Sequence, residues 1–145
     1  MSEEWQHASW VSTLGKLAWI FGLINGIIDL VWGIGFLAYW FPIYSISPYL
    51  SFGLGIYVWN IIGGIIMILL SLIIIRPKFS KPCGNKDWDA LYNWTLKLGS
   101  LRLPWMLIWG VVFAIFSWYY WAAVFILLPA IMLLFVGPKK YDWSA

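Results

Sequence analysis

One carboxylate stands apart in this chain. Asp29 lies in the middle of Ala18–Trp40, AWIFGLINGIIDLVWGIGFLAYW, a stretch with no other charge. Gly22, Asn25, Gly26 and Gly33 recur around it at steps of three and four. That spacing gathers them with Asp29 toward one side of a helix. A second apolar stretch carries Asn60, Gly63, Gly64 and Ser71 in the same way. If the two stretches run antiparallel from a common turn, Asp29 and Asn60 differ in height by roughly 4–5 Å, within side-chain reach. An Asp29–Asn60 hydrogen bond is therefore expected.

Two chemistries are open to such a group. A carboxylate in hydrocarbon without a cation beside it favours its protonated form. Lys16 is thirteen residues away along the same helix, about 20 Å. Asp29 would then be a proton or cation site of a small oligomeric transporter or channel. Alternatively it is structural glue, bonding Asn25, Asn60 or a partner helix. Gly22-x-x-x-Gly26 is the small-xxx-small spacing that lets membrane helices approach closely, and Gly33, Gly63 and Gly64 extend such a packing surface. No second acidic residue and no polar route accompanies Asp29, which favours glue.

Other chemistries find less support. The single cysteine, Cys83, and single histidine, His7, cannot build a Cys/His zinc site. No histidine falls in an apolar stretch, against a His-ligated haem. No phosphate-binding glycine loop, nucleophile elbow or paired carboxylate occurs. No metal or cofactor is expected, and the chain reads as non-enzymatic. The 13 tryptophans suit anchoring at the membrane interface better than an aromatic cage. Cys83, in a basic loop, invites thought of palmitoylation, yet a lone loop cysteine is usually inert.

The elements that must position these residues follow from composition. The chain has 145 residues, 63% hydrophobic and 10% charged. Soluble domains carry about 25% charged residues, so a lipid bilayer is the natural solvent. A net charge of +3 does not suggest nucleic acid. The N-terminus, MSEEWQHASW, lacks the basic start of a signal peptide. About 20 apolar residues cross a bilayer. On that measure four spans are expected, near 17–41, 52–75, 98–117 and 119–136, forming one four-span domain over 1–145. Short amphipathic interfacial helices precede spans one and three, and Arg76-Pro77 should end the second span.

All nine Lys and Arg residues fall on one side of this scheme, which places both termini and the 76–97 loop in the cytoplasm of a cell-membrane protein. The halves also look alike. Glu4-Trp5, Trp10, Leu14-Gly15 and Leu17 match Asp87-Trp88, Trp94, Leu98-Gly99 and Leu101, which suggests a tandem repeat of 1–78 and 84–140. Similar anchoring rules acting twice would give some of the same likeness. The expectation is an all-α integral membrane protein made of two tandem helical hairpins. Its expected role is an accessory or scaffolding subunit, associating with itself or with a larger membrane protein.

Overall fold

A computed structural model of the chain describes residues 4–46, 53–117 and 120–144, with the side chain of Tyr44 also outside the described set. The fold is mostly helical. Helix α1 runs from Ala8 to Tyr44 and α2 from Leu54 to Leu70. The second continues without a break through a π-helical segment, Ser71–Ser80, into the short α3, Lys81–Gly84. Then come α4 (Trp88–Asn93), strands β1 (Thr95–Leu98) and β2 (Leu101–Pro104), and helices α5 (Trp105–Phe116) and α6 (Trp121–Val136).

Two helices, Ala8–Ile43 and Leu54–Gly84, are long and apolar enough to cross a membrane, and only 28% of the most apolar stretch of each is buried within the chain. A core helix of a soluble domain would be covered on most sides. Here Val31, Ile34, Tyr39, Ile56 and Ile73 are each more than half exposed.

Four sequence boundaries change. The expected break between a surface helix and the first span does not exist. No proline interrupts Ala8–Phe41, and Gly15 is held by packing, so α1 is one helix whose last turn carries Pro42. Arg76-Pro77 does not stop the second helix. Proline has no N–H to donate and normally breaks an interior turn. The π register accommodates it, and the Lys81 N–H bonds back to Arg76 O, the i→i−5 pattern of that helix type.

The third change is a hairpin. Leu98–Pro104, expected to begin the third span, is instead the end of β1, the turn and β2 of an antiparallel pair, with Leu98 facing Leu101 and Thr95 facing Pro104. Gly99 turns the chain at φ +60, a region that favours glycine in the first position of a two-residue hairpin. The interfacial helix expected before it shrinks to α4, which the Asp87 side chain caps by accepting from Ala90 N at 3.1 Å. The C-terminal tail adds to β2 through an isolated bridge, Leu101 to Ser144, and an Arg102 N to Trp143 O bond of 2.8 Å.

Last, α5 and α6 have 12 and 16 residues, about 18 and 24 Å at 1.5 Å each, against a hydrocarbon core of about 30 Å. The expected outer loop over 41–51 and the 117–121 turn fall partly on residues outside the described set.

Candidate functional site

The α1–α2 seam is built on glycine. A β-carbon added at Gly26 would lie 2.8 Å from Gly64 O, and one at Gly64 would lie 2.7 Å from Gly26 O and from Leu30 N. Gly33 repeats the pattern one step outward, where a β-carbon would meet Tyr57 O and Ile61 Cγ1 at 2.8 Å. Real β-carbons do not come this close, so backbone rests on backbone along the seam.

A second stripe of α1 also meets α5. A β-carbon at Gly22 would collide with Ser71 Oγ of the π-helical segment and would meet Phe113 Cε2 of α5 at 2.5 Å. One helical step on, Asn25 is 1% exposed and Asp29 5%. The α2 glycines divide in the same way: Gly64 faces α1, while a β-carbon on Gly63 would lie 3.1 Å from the Phe116 ring. Trp59 stacks on that ring at 5.2 Å. The single glycine face read from the sequence is thus two adjacent stripes. Gly26, Leu30 and Gly33 meet α2, Gly22 meets both Ser71 of the π-helical segment and Phe113 of α5, and Asn25 is bonded to Ser117 at the end of α5.

The polar cluster sits where the turn between α5 and α6 touches α1. Asn25 Nδ2 donates to Asp29 Oδ2 at 2.7 Å, one helical turn along α1. Ser117 Oγ donates to Asn25 Oδ1 at 3.4 Å. The same Ser117 oxygen accepts from Ala122 N at 3.1 Å, so it satisfies one of the orphan donors at the start of α6. Tyr120, the residue before α6, has φ +61, which tightens the turn. The order of donors is Ala122 N–H to Ser117, Ser117 to Asn25, and Asn25 to Asp29. Asn25 makes a further interaction besides these.

Asp29 therefore takes its hydrogen bond from Asn25 on its own helix, not from Asn60. Ile61, the next residue after Asn60, fills the seam opposite Gly33. Ser117 is the member that the sequence reading missed. Ser-Trp beside an apolar run reads only as a turn, and nothing local says which depth that turn reaches. Asn25 lies close to the midpoint of α1 (Ala8–Tyr44), and that is the level at which Ser117 meets it.

Cys83 and His7 resolve into structure. Cys83 is fully buried, and its Sγ approaches Val11 O at 3.5 Å. A β-carbon on Gly15 would collide with it. His7 Nδ1 accepts from Trp10 Nε1 at 3.2 Å. Among the described residues no group of three His, Cys, Asp or Glu gathers as a metal site would need. Comparison with protein-family models, with curated proteins and with solved structures finds no match for this chain.

Proposed function

We propose that this chain is an integral membrane protein of non-enzymatic type, an accessory or scaffolding subunit that associates with itself or with a larger membrane partner. The observation that carries the reading is that the polar cluster and the glycines are used within the chain. Gly22, Gly26, Gly33, Gly63 and Gly64 are filled by its own helices. Asn25, Asp29 and Ser117 bond one another in a buried setting. The outer half of α1 and α2, above the second hairpin, presents Val31, Ile34, Ile56 and Ile62 to its surroundings. Those surfaces suit lipid or the helices of a partner.

In this reading α1 and the α2–α3 rod cross the membrane, and the four helices form two hairpins entering from one side. The lengths of α5 and α6 favour a second hairpin that crosses only part of the bilayer over two further full spans. Non-helical backbone at membrane depth is tolerated where protein covers it, and Ser117 bonded to Asn25 meets that condition. The basic residues keep their sidedness under either depth, with both termini and the 76–97 region cytoplasmic. A duplicated ancestry for the two halves is part of the proposal. Its Leu-Gly-x-Leu copies are now helix in one half and hairpin turn in the other.

The test is association in native membranes. The protein should migrate in a complex well above its own 16.8 kDa. Polar substitutions at Val31 and Ile62 should dissolve that complex, and Asp29→Asn should leave it intact. A chain that stays monomeric in every mild detergent, with no crosslinked partner, would refute the role.

A second reading has one observation behind it. Among the described residues, neither ion pair involves Asp29, as a proton or cation site would require. It predicts pH-driven flux in proteoliposomes that Asp29→Asn abolishes. Flux that Asp29→Asn leaves unchanged would exclude Asp29 as the site.

A further inference from the structure

Where the π-helical segment passes the first turns of α1, a cleft of about 610 Å³ opens. We propose that it is a binding site for a phosphate-bearing anion, and that the occupant is the headgroup of an anionic lipid. Its walls include Lys16 and Trp19 from α1 and Arg76, Ser80 and Lys81 from the opposing rod, with Asn85 at the mouth. Three cations line it and no carboxylate does. The ion pairs among the described residues, Lys86 with Glu4 and Lys139 with Asp89, lie elsewhere and use none of the three.

The geometry is arranged for an anion. The Arg76 guanidinium lies 4.7 Å over the Trp19 ring. That contact holds the guanidinium at the cleft through its face-on attraction to the ring, and a guanidinium so placed is a residue type suited to binding phosphate. Ser80 Oγ accepts from Trp19 N at 3.3 Å, which leaves its own proton to donate. The π register matters here. Bonding at i→i+5 brings residues four to five apart onto one face, so Leu72, Arg76 and Ser80–Lys81 line one wall together. Leu72, on the side of the apolar stretch, supplies a surface for an acyl chain.

Three like charges facing one cleft repel one another unless an anion joins them. Basic pockets between membrane helices on the cytoplasmic side take phosphorylated headgroups. The lipid source rests on the membrane reading above; the phosphate chemistry does not.

The test uses the full-length protein in a neutral detergent, probed by native mass spectrometry. The added ligands are phosphatidylglycerol, phosphatidylcholine and inorganic phosphate, in separate arms. Phosphatidylglycerol should bind markedly tighter than phosphatidylcholine, and millimolar phosphate should not displace it. K16Q/K81Q leaves the Arg76–Trp19 contact in place, and it should weaken phosphatidylglycerol roughly thirtyfold, at about fivefold per cation. K97Q/K140Q, equal in charge change but outside the cleft, should leave binding unchanged.

Saturable binding of inorganic phosphate that K16Q/K81Q removes, with no preference between the lipids, would overturn the lipid assignment and leave a soluble phosphate as occupant. Equal lipid binding by K16Q/K81Q and K97Q/K140Q, with unchanged circular dichroism, would overturn the site altogether. A protein that stays soluble without detergent would refute the membrane reading independently.

Discussion

Replacing Asn25 by alanine separates two bonds that look alike in a list of contacts but differ in what they stabilise. The Asn25–Asp29 bond is short, 2.7 Å, and joins neighbours one turn apart on α1. The Ser117–Asn25 bond is long, 3.4 Å, and joins two hairpins. When a membrane protein is unfolded in detergent its long helices largely persist, so a bond within α1 exists in both states and nearly cancels. Of these two, the long bond is the one that counts toward docking. Side-chain hydrogen bonds between membrane helices average about 0.6 kcal/mol, and a 3.4 Å bond belongs at or below that mean. Truncating a side chain that is 1% exposed also removes packing, for a total of about 1–2 kcal/mol in Asn25→Ala.

The assay is reversible unfolding in mixed micelles of rising dodecyl sulfate content, followed by tryptophan fluorescence and circular dichroism. Double-mutant cycles then apportion the loss. The Asn25–Ser117 pair should couple by about 0.5 kcal/mol, and the Asn25–Asp29 pair by about zero. Asp29→Asn keeps an acceptor oxygen and should cost under about 0.5 kcal/mol. Ile34→Ala, at a position 53% exposed, serves as the control. If the Asn25–Asp29 coupling exceeds the Asn25–Ser117 coupling, or if Asn25→Ala costs no more than Ile34→Ala, the cluster does not hold the hairpins together.

Two further outcomes follow from packing. Gly64→Val must push Gly26 O and Leu30 N outward from 2.7 Å, and overpacking of this kind costs about 1–3 kcal/mol; the same micelle titration should show α1 and α2 parting early, while Gly55→Val, which meets nothing within 4 Å, should not. Cys83 should resist maleimide in the folded protein and react fully once the detergent unfolds it, because it is completely buried; rapid labelling under native conditions would mean that the α1–α3 contact opens.

The sequence carried the class of fold further than its details. Long apolar runs around Asp29 and Asn60 announced the two long helices, and the glycine spacing announced a close seam. What it missed depends on neighbours distant along the chain. The division of one glycine face into two stripes is set by where α5 docks, and no periodicity within α1 records that. The β-hairpin was visible in hindsight, since Thr95-Leu96-Lys97-Leu98 and Leu101-Arg102-Leu103-Pro104 alternate around Gly-Ser. It was hidden because Leu-Gly-x-Leu also matched the first half of the chain. There the motif serves a different end: Gly15 admits Cys83, while Gly99 reverses the chain. Pro77 misled for a similar reason. A stop signal for an α-helix is a weaker one for a π-helix.

The late position of α5 in the chain bears on the order in which the protein is made. Every close approach along the α1–α2 seam falls between residues 26 and 68, so the first hairpin is complete as a ribosome product before α5 has been synthesised. Until then Asn25 lacks Ser117 and Gly63 lacks Phe116, while Gly22 already meets Ser71 of the π-helical segment. The later arrival of Phe113, Phe116 and Ser117 completes these contacts. The bond that ties Asn25 to the C-terminal half can form only once Ser117 has been made.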